Sequence, residues 1–178
     1  MKTLYLAPLA LLILAGCQQE TIQTGHGGNV ATNVASTSPE HFDSIQRTYH
    51  LKDLQRVTLK VNGHDVKAWV MDDNGKREEG MMFLTADDVS DDDGMIFVFS
   101  EAGQQSFWMK NTLLALDITY ISPDKKVLNV QPGKPGDLTP LPSKGDAQYV
   151  LEMKQGSAAR LGIKPGVKVE IPNTVKSK

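Results

Sequence analysis

Val57-Thr58-Leu59-Lys60-Val61-Asn62-Gly63-His64-Asp65-Val66-Lys67-Ala68-Trp69-Val70 decides the fold class. Val57, Leu59 and Val61 alternate with Thr58 and Lys60, the period of two that gives a strand one apolar face. Asn62-Gly63 then breaks the pattern. Both residue types tolerate positive φ, so this pair between alternating segments predicts a tight hairpin whose return strand covers 64–70.

Outward from the hairpin, strand signals dominate. Gly94 opens Met95-Ile96-Phe97-Val98-Phe99, a continuous apolar run that reads as a buried strand. Further strands are predicted over 106–110, 116–121, 126–131, 147–153 and 167–171, with Pro123-Asp124 as a turn. Helix signals are fewer. Residues 76–82 suit one short helix, Thr85 with Asp88 resembles a capping box, and 157–162 has a serine cap, helix formers and an exit glycine. The proline- and glycine-rich stretch 131–146 predicts an exposed loop. The expectation is an α+β, β-rich domain over 54–172: a single compact unit of about seven mostly antiparallel strands, sheet or barrel-like, with two or three short helices. A polar tail, 173–178, follows it.

The N-terminus differs in kind. A short positive start, Met1-Lys2-Thr3, precedes an apolar run from Leu4 to Leu14, too short to span a bilayer and suited to the centre of a signal peptide. Leu14-Ala15-Gly16-Cys17 resembles the lipobox of bacterial lipoproteins. It implies a signal peptide over 1–16 and fatty acylation, including palmitate, on Cys17. Cys17 is the one cysteine of the 178 residues, so no internal disulfide can form, and acylation gives the lone thiol of an exported chain a role. Residues 17–50 then read as the lipidated cysteine and a polar flexible tether. By the same resemblance Gln18, where an aspartate favours inner-membrane retention, points to a lipid anchor in the outer membrane facing the periplasm, in an organism with two membranes.

Loss of Lys2 with the signal leaves 18 basic residues against 21 acidic ones, a formal charge of −3. No basic stripe marks a nucleic-acid partner, and the partners expected are the membrane, through the lipid, and a small polar ligand or envelope protein. The acidic run Asp87, Asp88, Asp91, Asp92, Asp93 fails as a calcium loop. With Gly94 in the sixth position of an EF-hand, the first and twelfth positions fall on Val89 and Ser100, which carry no carboxylate. The methionines lack the spacing and the histidine company of a copper site. No metal and no cofactor are expected.

Arg77-Glu78-Glu79-Gly80-Met81-Met82-Phe83-Leu84, then Gly94 to Phe99, then Phe107-Trp108-Met109-Lys110-Asn111-Thr112 with Leu116-Asp117 close behind, and finally Val150 to Met153 and Gly156 to Ile163, stand in the order of domain-of-unknown-function family 192. The resemblance covers 57–171. It implies an exported or lipid-anchored context and no established activity. Three departures stand out. Gly80-Met81-Met82 leads to Phe83 where the family has an arginine, Ala115 and Leu116 occupy the place of a proline, and the late loop, 138–146, lacks a cysteine. A mature domain without cysteine has no thiol mechanism.

The chemistry-bearing cluster is Trp108, Lys110, Asn111 and Asp117, with Glu152 as a further carboxylate. In a strand Trp108 and Lys110 share a face, and an aromatic beside a lysine, an asparagine and a carboxylate can bind a polar ligand. The same groups can instead hold the turn together, with Asp117 accepting backbone N–H bonds and Trp108 in the core. Glu152, a charge within a strand, reads on its own as solvent-facing. The reading is thus an envelope lipoprotein, leaning away from enzyme, whose domain binds a small polar ligand or an envelope partner. One alternative is a hydrolase or carbohydrate-active enzyme using Asp117, Glu152 and Lys110, which requires both carboxylates in one cleft. Another is an assembly factor without a pocket.

Overall fold

The structure, a computed structural model, describes residues 46–178. Asn62 and Gly63 take φ of 49° and 81° and join β1 (Arg56–Val61) to β2 (His64–Met71), with Val61 opposite His64. From β2 the chain runs through α1 (Asn74–Glu79) and a turn-rich segment before β3 (Asp93–Phe107). That connection is long enough for a crossover, and β2 and β3 pair in parallel, with Trp69 beside Met95. β4 (Leu116–Ile121), β5 (Val127–Gly133), β6 (Leu141–Lys154) and β7 (Val169–Glu170) join by antiparallel pairings, and α2 (Ser157–Arg160) follows β6. The result is one mixed seven-stranded sheet, ordered β5-β4-β6-β3-β2-β1-β7. β3 and β6, its two longest strands, slip register twice against each other. Each slip bends the strands, and the sheet curls into a half-barrel.

Both faces of this sheet are covered, which explains why Met95 to Val98 reads as apolar without alternation. On one face Val70, Ile96, Val98, Leu151 and Met153 pack under Ala158, Leu161 and Ile163. On the other Met71, Met95, Phe97, Ile118, Tyr120 and Val150 pack under Leu51, Leu54, Met81, Leu84, Val89 and Met109. The candidate site lies on this second face.

Several boundaries differ from those the sequence predicts, each for a visible reason. α1 starts at residue 74 instead of 76 because Asp73 caps it, accepting a hydrogen bond from Lys76 N at 2.9 Å, and it ends at Gly80. Thr85 N and Oγ1 each donate to Asp88 Oδ2 at 2.7 Å, yet this box closes a turn and starts no helix. The long loop expected over 131–146 shrinks to 134–140, since β5 runs to Gly133 and β6 begins at Leu141. Both strands there tolerate proline: Pro132 and Pro142 lie within them.

The tether expected up to residue 50 gives way earlier to folded chain. Arg47 is buried, and Leu51, which opens a 3-10 turn (Leu51–Asp53), and Leu54, which follows it, enter the core. The tail is likewise anchored: Val175 is buried, Lys178 N donates to Asp72 O at 2.8 Å, and Lys178 Nζ pairs with Asp72 at 2.7 Å. The signal peptide, Cys17 and the rest of the tether lie outside the described residues. Among the described residues no helix is long and apolar enough to cross a membrane.

Candidate functional site

Phe97 and Glu152 come from the two central strands, β3 and β6, and face the same side of the sheet. Because successive strand residues alternate sides, Val150 and Glu152 point toward the second core while Leu151 and Met153 point away. Glu152 is therefore placed by its neighbours, and it is only 4 % exposed. Met95 lies across from it on β3 and Ile118 on β4, neither of which can hydrogen-bond it. Among the described residues its Oε2 atom has no hydrogen-bond partner. Burial raises the Glu152 carboxyl from 4.5 to about 8, so at neutral pH it stands mostly as the neutral acid.

Above it a cavity of about 220 Å³ opens to solvent. Phe97, Phe99, Phe107 and Trp108 supply aromatic wall, Met81 and Met82 supply thioethers, and Arg77, Glu78, Gln105, Ser106 and Thr112 supply the polar rim. Phe107 meets Phe97 edge-on at 5.0 Å between centroids and Tyr120 edge-on at 5.9 Å, so the wall behind the cavity is rigid aromatic packing. Tyr120 donates its hydroxyl proton to Leu141 O, and burial holds this phenol well above its usual range.

Gly80 keeps the way to Glu152 open. Its φ of 48° and ψ of −129° suit glycine alone, and a Cβ there would sit 3.1 Å from Phe97 Cζ and 3.6 Å from Glu152 Oε2. Arg47 fixes this stretch. Its guanidinium donates to Gly80 O at 2.8 Å and Met82 O at 2.7 Å, as well as to Tyr49 O, and pairs with Glu79 at 3.4 Å. Glu79 in turn accepts from Thr48 N and Tyr49 N.

The five site residues expected from sequence separate into three groups. Trp108 and Glu152 meet at the cavity, with Trp108 half-exposed at its rim instead of in the core. Lys110 lies on the solvent side, its Nζ 5.2 Å from the Trp108 ring, and Asn111 makes the turn, with φ of 54° and its carbonyl accepting from Phe83 N at 2.9 Å. Asp117 is elsewhere. It pairs with Met153 across β4 and β6, while Ile118 pairs with Glu152, so the two carboxylates occupy opposite faces of the sheet. The two carboxylates do not share a cleft, and the hydrolase reading built on Asp117, Glu152 and Lys110 is excluded. Asp117 Oδ2 instead accepts from Gly156 N at 2.9 Å and Ala158 N at 2.8 Å, tying the start of α2 to the sheet. Asp117→Ala leaves two backbone donors without this acceptor, and a loss of roughly 2–3 kcal/mol is expected in urea unfolding.

Glu152, expected to face solvent, is corrected to a buried acid. Gly80, Phe97, Phe107 and Arg77 enter the site without having been singled out. Three of the five aspartates of 87–93 pair with cations: Asp93 with Arg56, Asp92 with Arg160 at 2.9 Å, and Asp91 with Lys154 at 3.6 Å.

A curled mixed sheet holding an acid at the floor of an aromatic cavity defines a β-rich single-domain class with a small pocket on one face. The chain belongs to domain-of-unknown-function family 192, described as an uncharacterized ACR, whose profile matches residues 57–171. It is similar to a solved protein of unknown function from Novosphingobium aromaticivorans, with 38 % identity over 69 % of this chain and 90 % of the other and a TM-score of 0.64. It is also similar to a Sinorhizobium meliloti protein described as a "putative transcription regulator", with 33 % identity over 65 % of this chain and 91 % of the other and a TM-score of 0.59. No functionally curated protein matches the chain.

Proposed function

We propose that the domain is a binding module for a small polar ligand, presented in the cell envelope by a lipid on Cys17. The observation that carries the binding reading is Glu152, a buried acid that lines an open cavity and whose Oε2 atom has no hydrogen-bond partner among the described residues. A buried donor or acceptor left unmade costs about 1–3 kcal/mol, and an occupant supplying the missing bond recovers that. The aromatic lining with a few convergent polar groups is the composition of small-molecule sites. At about 220 Å³ the cavity is smaller than the roughly 300–1,000 Å³ of pockets for drug-sized ligands, which suits a small metabolite. The envelope part rests on the lipobox-like Leu14 to Cys17.

NMR on the full chain tests the pocket with glucose, cyclohexylamine and benzoate at millimolar concentration as neutral, cationic and anionic probes. At least one is expected to shift the indole resonance of Trp108 saturably while leaving that of buried Trp69 in place. Three probes that leave Trp108 unmoved overturn the reading. For the anchor, Cys17→Ser is expected to move the exported protein from the detergent phase to the aqueous phase. A wild-type protein already in the aqueous phase overturns that part.

A further inference from the structure

Every other charged group at the cavity is already engaged or stands at its open edge, and this decides which ligand chemistry the pocket suits. From α1, Arg77 donates to Val98 O at 2.8 Å and Asn74 Oδ1 at 2.6 Å, with its guanidinium over the Phe99 ring at 5.4 Å. Glu79, also on α1, is held by Thr48 N, Tyr49 N and Arg47. Glu78 stands exposed at the mouth. β3 contributes neutral Gln105 and Ser106, while the phenol of Tyr120 on β4 lies behind Phe107 and donates to Leu141 O. Of the ionisable groups at the cavity, what remains is the Glu152 carboxyl, whose Oε2 has no partner among the described residues, beside aromatic surface.

We propose, building on the small-ligand reading above, that the pocket selects a primary ammonium group, seated between the Phe97, Phe107 and Trp108 rings with an N–H donated to Glu152 Oε2.

An anion fits poorly, because Arg77 is bound to the protein itself and the floor is a carboxyl. A neutral hydroxyl satisfies Oε2 with an ordinary hydrogen bond, whereas an ammonium makes a charge-assisted one about twice as strong. Aromatic faces add attraction for a cation. The rim already displays this preference, since Lys110 sits over Trp108 and Arg77 over Phe99. A quaternary ammonium, lacking N–H, leaves Oε2 unpaired. The proton balance follows from the floor being mostly neutral at pH 7: the ammonium and the protonated Glu152 give an ammonium–carboxylate pair and one proton released to solvent.

The test compares cyclohexylamine with cyclohexanol, matched in shape, by calorimetry on the full chain and on Glu152→Gln. An alkylammonium, like lysine with its value of about 10.4, stays protonated to pH 9. Amine affinity is expected to rise about tenfold from pH 7 to pH 9 as the ionised floor becomes the resting state. Close to one proton is expected to leave per amine bound at pH 7, read from two buffers of different ionisation heat. Cyclohexanol is expected to bind about tenfold or more weakly than the amine at pH 9 and without proton release. Glu152→Gln is expected to abolish the proton release and the pH dependence, and its urea unfolding at pH 5, close to that of the wild type, reports that the variant is folded. Equal binding of alcohol and amine at pH 9, or amine binding without proton release, overturns the ammonium assignment and leaves the pocket reading standing. If neither they nor the glucose and benzoate probes bind, both readings fall together.

Discussion

Glu152→Gln is expected to stabilise the protein at pH 8.5 and to leave it nearly unchanged at pH 5, a difference set by one buried acid. The folded-state value of about 8 lies above the 4.5 of an unhindered glutamate. Between those values the unfolded chain has lost its proton and the folded chain has kept it. The contribution of Glu152 is therefore most favourable below about 4.5, falls as pH rises through the window, and levels off above about 8. At about 1.36 kcal/mol for each unit, the destabilisation from Glu152 above pH 8 is at most on the order of 5 kcal/mol, and water entering the open cavity reduces it. Glutamine has the shape of the neutral acid and no charge to desolvate, so the variant does not show this fall.

The comparison isolates Glu152 because the opposing groups are common to both proteins. Asp73 is held below the usual carboxylate range by its bond from Lys76 N, and Asp137 by its bond from Thr139 N. Groups of that kind lose stability as pH falls, at the acid end, and cancel in the difference between wild type and variant. Urea unfolding from pH 5 to pH 9 measures it. A variant curve parallel to wild type across that range rules out a neutral buried acid. The same charge that weakens the free protein at high pH is the one an ammonium would compensate, so ligand site and stability cost are one feature.

The strand pattern was legible because it depends on local chemistry. Asn62-Gly63 is a hairpin wherever it sits between alternating apolar segments, and Pro123-Asp124 and the apolar run from Met95 carry similarly short-range information. The parallel pairing of β2 with β3 was not legible, since nothing within either strand records which neighbour lies beside it. The loop expected over 131–146 was misjudged because proline and glycine mark breaks only where a backbone N–H is needed, and Pro132 and Pro142 sit in strands that accommodate them. Glu152 was readable but not read. Val150, Leu151 and Met153 surround it with apolar side chains on both faces, so no side of that strand remains for water. Asp117 shows the converse. Its chemistry drew attention, but strand parity separates it from Glu152, and that requires the register of β4 against β6. Gly80 carries its role in φ and ψ, which composition does not record.

Arg47→Ala is expected to cost about 3–5 kcal/mol, although Arg47 falls in a stretch that composition assigns to a tether. Its side chain is fully shielded from solvent and supplies donors to three backbone carbonyls, Tyr49, Gly80 and Met82, together with the pair to Glu79. Removing it leaves Glu79 in a largely buried setting without its cation and deprives the Gly80 carbonyl, which is buried, of this donor. Breaking a buried pair on one side costs about that much, whereas an exposed pair such as Lys60–Asp65 is screened by solvent and contributes little. Arg47→Lys recovers only part, because an ammonium cannot present the fork that reaches Gly80 and Met82 together. The expected order in urea unfolding is wild type, then Lys, then Ala. A loss near zero for Ala would mean that the segment before β1 is not part of the folded unit. The variant also separates support from contact. Arg47 does not line the cavity but holds the Gly80 to Met82 wall, so Arg47→Lys is expected to weaken cyclohexylamine binding while preserving its release of one proton, since Glu152 itself is untouched.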